Sequence, residues 1–204
     1  MTTVPINNNA PLTFLVRWLR APRYVGAVTP SSRYLARAMA RQIPRSAFTD
    51  RAPVVELGGG TGSITQGLLE AGVAPDRLYV VERDPGMAEL LRRRFPLVNV
   101  LCGDAEALPE LLKPFGIDRA AAVVSGLPLL LFSHETLTKL MASAFSLLGP
   151  DGPLIQFTYG AKSPVPPRIR GLAAKRTAMV LRNFPPAFVW TYRRTTRQDE
   201  RTAA

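Results

Sequence analysis

The chain has 204 residues, of which 47% are hydrophobic, and this length is enough for one domain with a substantial core. No apolar run reaches the roughly 18 residues of a membrane span, which excludes a transmembrane helix, and the single cysteine, Cys102, excludes an internal disulfide. The net charge of +11 divides into +7 for residues 1–52, −4 for residues 53–159 and +8 for residues 160–204. The acidic centre suits a cationic ligand, whereas the basic flanks suit a polyanion such as anionic lipid or nucleic acid.

The first segment of the chain predicts an amphipathic helix over residues 11–20. Pro11 suits a helix start and Pro22 ends the segment. On a helix, six apolar residues fill an arc of roughly 200°, and two arginines lie at its border. The apolar residues are Leu12, Phe14, Leu15, Val16, Trp18 and Leu19, and the arginines are Arg17 and Arg20. This pattern is typical of a helix at a membrane surface, and a helix packed on its own domain is the alternative.

A second helix is predicted from Arg33 to Arg41, with Ser31 or Ser32 as its cap and Pro44 closing it. Arginines recur here every four residues, which places them along one side of the helix. They are Arg33, Arg37, Arg41 and Arg45. This basic ridge predicts contact with a polyanion, and an ordinary solvated helix face is the alternative.

From Pro53 onward, apolar strand patterns alternate with helical patterns. The predicted strands are 53–57, 77–82, 98–102, 119–125 and 153–159, and the predicted helices are 63–72, 85–95, 105–112 and 134–148. Such alternation predicts an α/β fold with a doubly wound, mostly parallel sheet. Ligands bind beyond the carboxyl ends of the strands in such sheets. Cys102 lies in an apolar run, so we expect its thiol to pack in the core.

The last part of the chain changes character. The proline-rich residues 163–167 cannot form a helix or a central strand. Residues 175–181 and 187–192 flank a turn at 183–186, which predicts a closing antiparallel hairpin and a seven-stranded sheet in all; a helix over 171–182 is the alternative. We expect a single compact domain, with residues 1–52 as membrane-interaction and lid helices and residues 53–204 as the core.

The most informative motif is the loop after the first strand, which reads Glu56-Leu-Gly58-Gly-Gly60-Thr-Gly62. Strand, glycine turn and helix form the context of a nucleotide-type ligand loop, because glycine lets the backbone approach a ligand closely. The spacing E-x-G-x-G-x-G differs from the dinucleotide fingerprint G-x-G-x-x-G. The leading carboxylate would repel a pyrophosphate and attract an ammonium or a sulfonium.

Two further acidic positions follow at the ends of the next strands. Glu82 lies 26 residues after Glu56, where an acid can bind the two hydroxyls of a ribose. Asp104 and Ala105 follow Gly103 at the end of the third strand. The combination resembles the class I S-adenosylmethionine-dependent methyltransferases.

This resemblance implies S-adenosylmethionine as the cofactor and no metal. It implies that Gly58, Gly60 and Gly62 admit the methionine part, with Glu56 near its ammonium. Glu82 would hold the ribose, and Asp104 with the Ala105 backbone would meet the adenine. We also assign four further residues to the cofactor site: Ser31, Ser32, Arg83 and Ser125.

Sequence segments outside the generic motifs resemble those of the bacterial phospholipid N-methyltransferases over about residues 12–194. They lie in three stretches: Phe14 to Ala36, including Val25-Gly-Ala-Val28; Phe157 to Pro166; and Asn183 to Arg194. The resemblance implies an enzyme that methylates the amine of phosphatidylethanolamine and of its mono- and dimethyl forms, toward phosphatidylcholine. It also implies a cytoplasmic protein, peripheral on the inner face of the cell membrane. We expect anionic phospholipid as a partner, no nucleic acid, and a monomer rather than an oligomer.

The RNA adenine N6-dimethyltransferases share the glycine loop and provide the alternative function. That family carries Asn-Leu-Pro-Tyr after the fourth strand, where this chain has Gly126-Leu127-Pro128-Leu129. The amide and the aromatic ring that bind an extruded adenine are therefore missing. A non-catalytic membrane-binding module is a third possibility, against which the intact cofactor loop argues.

Methyl transfer to an amine requires an unprotonated nitrogen aligned with the methyl group. Tyr159, at the end of the fifth strand, is the first candidate for positioning the substrate, and His134 is the candidate for removing a proton. A helix N-terminal position explains His134 equally well. Tyr24, Arg33 and Lys162 are candidates for binding the lipid phosphate.

Overall fold

The computed structural model describes residues 33–49, 52–167, 169, 171–183 and 185–195. The predicted helix over 11–20 and the candidate site residues Tyr24, Ser31 and Ser32 lie outside the described residues. Within the described part of the chain, no helix is long and apolar enough to cross a bilayer.

The described chain alternates between helices and strands in the predicted order. The α-helices are α1 (Arg33–Ala40), α2 (Ser46–Thr49), α3 (Ser63–Glu70), α4 (Pro85–Arg94), α5 (Leu108–Leu112) and α6 (His134–Leu147). The strands are β1 (Val54–Leu57), β2 (Leu78–Glu82), β3 (Asn99–Cys102), β4 (Ala122–Ser125), β5 (Leu154–Thr158), β6 (Leu172–Val180) and β7 (Ala187–Arg194).

The strands form one seven-stranded sheet in the order β3-β2-β1-β4-β5-β7-β6. Strands β1 to β5 are parallel, and β7 runs antiparallel to both β5 and β6. The predicted fold class is therefore confirmed, including the C-terminal hairpin, and the alternative helix over 171–182 does not form. We call the edge at which β1 to β5 end the carboxyl edge. Because Thr158 of β5 pairs with Phe188 of β7, the turn between β6 and β7 also lies at this edge.

Helices cover both faces of the sheet, and each face has its own apolar core. The face covered by α1, α3 and α4, which we call the α3 face, buries residues such as Leu35, Leu68 and Leu91. The opposite face, the α6 face, is covered by α5 and α6 and buries Leu108 and Leu140. Every residue of β1 and β4 is buried, because these central strands have helices above and below.

Helix α1 packs tightly onto α3. A Cβ added at Gly67 of α3 would lie only 2.2 Å from the Cβ of Ala36, so glycine is needed where the two helices cross. Leu35, Ala36 and Met39 are fully buried, whereas the arginines of the predicted basic ridge are exposed. One of them, Arg37, pairs with Glu70 at 3.2 Å.

Three local features differ from the predictions. Strand β4 begins at Ala122 rather than at residue 119, since Ala120 forms only an isolated bridge with Leu148. The predicted helix 105–112 divides into a 3-10 turn, Ala105–Ala107, followed by α5. Cys102 is exposed, so its predicted core role is wrong; β3 is the edge strand of the sheet and has no neighbour on its outer side.

Candidate active site at the carboxyl edge

The glycine loop between β1 and α3 adopts a backbone that only glycine accommodates easily. Gly58, Gly60 and Gly62 have φ angles of 72°, 52° and 83°. A Cβ added at Gly58 would lie 2.7 Å from Cδ2 of Leu127, whereas the space around Gly60 is open for 4 Å. The loop therefore packs against the β4–α6 connection at Gly58 and borders open space at Gly60.

The carboxylate of Glu82 fastens this loop to the end of β2. Its Oε2 accepts a hydrogen bond from the backbone N–H of Gly60 at 2.9 Å, and its Oε1 accepts one from the N–H of Asp84 at 2.9 Å. Glu82 is half-buried. A carboxylate offers about four lone-pair positions, so acceptor capacity remains for the two hydroxyls of a ribose.

Glu56, the next-to-last residue of β1, is buried completely. Neither carboxyl oxygen has a hydrogen-bond partner of ordinary geometry among the described residues. Burial raises the pKa of Glu56 to about 8, an effect that the neighbouring Thr65 opposes in part. An unpartnered buried carboxyl is costly, and a cationic group bound beside it would offset that cost. The residue therefore fits the ammonium of S-adenosylmethionine.

The ends of β2 and β3 bring Arg83 and Asp104 together. Arg83 Nε lies 3.8 Å from Asp104 Oδ2, and both side chains are substantially exposed. The other Asp104 oxygen accepts the N–H of Glu106 at 3.0 Å and so caps the turn that follows. Ala105 is buried beneath this turn. Asp104 thus combines a structural cap with a position at the carboxyl edge, as the sequence allowed.

The connection after β4 is held by two buried polar side chains. Ser125 Oγ accepts the N–H of Leu127 at 3.3 Å, and Gln156 Nε2 donates to the carbonyl of Leu127 at 2.9 Å. Gln156 Oε1 is buried without a partner among the described residues. Gln156 was missing from the sequence prediction. The available signal was a glutamine inside the otherwise apolar strand β5.

Tyr159 lies directly after β5 and joins the site to the β6–β7 turn. Its ring packs edge-on against Phe157, with centroids 5.5 Å apart, and its hydroxyl hydrogen-bonds to the side chain of Asn183. Burial is the main effect on the pKa of Tyr159 and raises it, so the hydroxyl stays protonated at neutral pH. Asn183 is itself buried and donates to the carbonyl of Pro185 at 2.7 Å. Asn183 is a second residue that the site prediction omitted.

His134 lies elsewhere. It is exposed at the start of α6, next to the capping residue Ser133. It lines a groove of about 430 Å³ that runs along α6 toward Phe145 and Arg194. Tyr159 packs on the α3 face instead. The structure therefore does not bring His134 together with Tyr159 or Glu56.

Arg33 belongs to a cation–aromatic cluster beside the carboxyl edge. Its Nη2 donates to the hydroxyl of Tyr34 at 3.3 Å, and the guanidinium of Arg182 lies 5.4 Å from the centre of the same ring. The two arginines lower the pKa of Tyr34, with Arg33 having the larger effect. Arg182 precedes Asn183 in the β6–β7 turn, so α1 and the turn meet here. Lys162 is exposed three residues after Tyr159.

Comparison with known proteins places this geometry in a family. Residues 54–152 match a family model described as a methyltransferase domain. The chain is 38% identical over 149 residues to an ornithine lipid N-methyltransferase of Singulisphaera acidiphila, an alignment that covers 71% of this chain and 76% of that protein. A shorter match, 42% over 73 residues, links it to a probable ribosomal RNA small subunit methyltransferase A of Natronomonas pharaonis, covering 33% of this chain and 25% of that one.

Solved structures share the fold. Magnesium protoporphyrin IX methyltransferase from Synechocystis, with S-adenosylmethionine bound, aligns with a TM-score of 0.61 at 15% identity, covering 95% of this chain and all of that one. A TehB-like S-adenosylmethionine-dependent methyltransferase from Corynebacterium glutamicum aligns with a TM-score of 0.58 at 16% identity, covering 91% and 98%. The relative that aligns over most of both chains, the glycine loop and the sheet order all indicate the same family. The chain belongs to the class I S-adenosylmethionine-dependent methyltransferases.

Proposed function

We propose that this enzyme methylates the amine of phosphatidylethanolamine and of its mono- and dimethyl forms, toward phosphatidylcholine. The observation that carries the proposal is the similarity to a lipid N-methyltransferase across most of both chains. The resemblance of sequence segments outside the generic motifs to the bacterial phospholipid N-methyltransferases supports the narrower assignment to phosphatidylethanolamine. The proposal includes a peripheral position on the inner face of the cell membrane and a monomeric protein.

The cofactor supplies a methyl group on a positively charged sulfur, which is already a good leaving group. The residues of the chain bind and orient the cofactor and the substrate amine. Glu56 would hold the ammonium, and the open space at Gly60 would admit the methionine part. Glu82 would bind the ribose with the lone pairs that its bonds to Gly60 and Asp84 leave available. The other residues that we assign to this site are Ser31, Ser32, Gly58, Gly62, Arg83, Asp104, Ala105 and Ser125.

Tyr159 positions the substrate rather than acting as a base. Its raised pKa keeps the phenol neutral, so the hydroxyl can donate one hydrogen bond and accept another. Its hydroxyl lies beside the side chain of Asn183, and its ring makes a T-shaped contact with Phe157. A hydroxyl held in this way can align an amine nitrogen, and alignment is the main requirement of an in-line transfer.

Cationic side chains near the edge suit the lipid phosphate. Arg33 donates a hydrogen bond to Tyr34, and Lys162 follows Tyr159 by three residues. Tyr24 is assigned to the same role from the sequence. His134 remains a candidate for accepting the amine proton only if the substrate reaches the α6 groove, because that is where its side chain lies.

RNA adenine dimethylation is the second candidate, favoured by the match to the ribosomal RNA methyltransferase. The β4–α6 connection argues against it. Its backbone is held by Ser125 and Gln156, and its residue at the position of the expected aromatic ring is Leu129, which is buried. A buried leucine offers no ring face on which a base could stack.

One assay separates these candidates. The protein is incubated with methyl-labelled S-adenosylmethionine and, in parallel, vesicles containing phosphatidylethanolamine, vesicles containing ornithine lipid, or total RNA. We expect label in phosphatidylethanolamine and, on thin-layer separation, in its mono-, di- and trimethyl forms. Label in ornithine lipid alone would replace the proposed substrate with a different lipid amine, and label in RNA alone would favour the second candidate.

A further inference from the structure

The carboxyl edge carries two exposed apolar tips beside the site. The first is Leu130 and Leu131, in the 3-10 turn after β4; the second is Met179 and Leu181, at the end of β6 and the start of the following turn. Their exposed fractions are 43%, 40%, 56% and 68%. Large apolar side chains so exposed and grouped at one edge mark an interaction surface.

Contacts at the site connect the two tips. A Cβ added at Gly160 would lie 4.0 Å from Cδ1 of Leu130, so the first tip borders the segment after β5. Tyr159, the preceding residue, bonds to Asn183 in the turn of the second tip. The tips therefore flank the proposed substrate position from both sides.

The segments that carry these tips hold no acidic residue. Residues 126–133 contain no charged residue, and residues 172–183 contain Lys175, Arg176 and Arg182. Arg182 stacks on Tyr34 and Arg176 stacks on Phe188, the residue that pairs with Met179. Their guanidinium groups are thereby held close to the apolar tips. Apolar side chains that enter a headgroup layer, bordered by fixed arginines, match an anionic bilayer.

We propose that Leu130, Leu131, Met179 and Leu181 dock this edge onto an anionic phospholipid bilayer, with Arg176 and Arg182 binding lipid headgroups. This inference rests on the proposed function and adds an orientation to it. The docked edge is the one that carries the glycine loop, so a lipid amine reaches Tyr159 without leaving the membrane. The hairpin contact is separate from the helix predicted over residues 11–20.

The test measures binding of the full-length protein to vesicles of phosphatidylglycerol and phosphatidylcholine by sedimentation, without any catalytic readout. We expect the double variant Met179→Glu/Leu181→Glu, and separately Leu131→Glu, to bind roughly tenfold or more weakly, because each removes a side chain from the apolar layer. Leu97→Glu is the matched control: Leu97 is 75% exposed but lies between α4 and β3, at the opposite edge of the sheet. Vesicle binding by the double variant equal to that of the Leu97→Glu protein would overturn the proposal.

An environment-sensitive dye locates the contact directly. Leu181→Cys and Leu97→Cys, each in a Cys102→Ser background, are labelled with a fluorophore that shifts to the blue in lipid. We expect a shift on adding anionic vesicles only for the label at position 181. The label at position 181 could already be shifted without vesicles, at protein concentrations where the chain is a monomer. Such a shift would mean that another part of this chain covers the edge, and it would overturn the proposal. A shift that appears only as the protein concentration rises means a second copy and overturns it as well.

Failure of the proposed function gives a different result. The variants are also assayed with a short-chain amine phospholipid below its micelle concentration, for which docking is unnecessary. If the wild type methylates the lipid and the double variant binds vesicles as well as the wild type does, the docking edge is rejected and the proposed function stands. Edge-dependent vesicle binding without methylation of any amine lipid keeps the docking edge and rejects the function.

Discussion

The backbone N–H of Gly60 donates to the carboxylate of Glu82 across 2.9 Å, which joins the glycine loop to the end of β2, 22 residues further along the chain. The second oxygen of Glu82 accepts the N–H of Asp84. The carboxylate therefore shapes the glycine loop before any ligand arrives. It organises the candidate site through contacts within the protein alone.

Glu82→Ala is accordingly expected to weaken S-adenosylmethionine binding by tenfold or more. The variant loses a charge-assisted bond to the ribose, worth about 1.5–3 kcal/mol, and it also frees the Gly60 loop. Isothermal calorimetry measures the dissociation constant, and Glu89→Ala on the exposed side of α4 is the control, since its carboxylate pairs with Arg92 and Arg93 of the same helix. An unchanged dissociation constant in a folded Glu82→Ala protein would remove Glu82 from the cofactor site.

Glu56 predicts a pH-dependent stability of the ligand-free protein. Its folded-state pKa of about 8 lies above the ordinary value of 4.5, so ionisation opposes folding. The resulting stability is fully present below pH 4.5 and is lost progressively as the pH rises from about 4.5 to about 8. Glu56→Gln should therefore gain stability relative to the wild type between pH 5 and pH 8, by on the order of 2 kcal/mol or more. Urea unfolding at several pH values measures this, and a difference that does not change with pH would contradict the raised pKa.

Binding of the cofactor should release a proton from Glu56. A neighbouring ammonium favours the carboxylate and lowers its pKa. At pH 7 we expect the calorimetric binding enthalpy of S-adenosylmethionine to depend on the ionisation enthalpy of the buffer in the direction of proton release. The same titration with Glu56→Gln should show weaker binding and little buffer dependence. Equal proton release by both proteins would assign the titration to another group.

Tyr159→Phe should lower turnover on phosphatidylethanolamine several-fold while leaving cofactor affinity nearly intact. The variant keeps the ring packing against Phe157 and loses only the hydroxyl, a loss of about 0.5–1.5 kcal/mol. Tyr192→Phe is the control, because its hydroxyl bonds to Ser163 at 2.8 Å inside the α6 face. That variant should lose stability and keep its kinetics. If Tyr159→Phe instead loses cofactor affinity, its hydroxyl belongs to the cofactor site.

Gly67→Ala tests the packing of α1 on α3. Alanine has the better helix propensity, but its Cβ would meet the Cβ of Ala36 at 2.2 Å. Overpacking of this kind costs about 1–3 kcal/mol, so we expect a net loss of stability in thermal unfolding. Ala36→Gly reopens the space, and the double variant should recover part of the loss. The absence of any coupling between the two substitutions would show that α1 does not cross α3 at this point.

The alternation of strands and helices, the glycine loop and the acids at strand ends were all readable from the sequence. These features depend on local properties: side-chain periodicity, the backbone freedom of glycine and the position of a residue within its own strand. Glu56, Glu82 and Asp104 could be placed at one edge because parallel strands end together. The C-terminal hairpin could also be predicted from a local pattern, because two apolar runs flank a proline-containing turn.

Only the tertiary structure decided how these residues are used, because burial and pairing depend on parts of the chain that are far apart in sequence. Glu56 is desolvated only because α3 covers β1, and that burial raises its pKa. Tyr159 meets Asn183 only because β7 turns antiparallel beside β5. His134, a plausible catalyst by residue type, lies along α6 on the opposite face of the sheet from Tyr159. Local pattern thus indicated the edge of the sheet at which we propose that the ligand binds, and long-range packing determined which side chains lie around that edge.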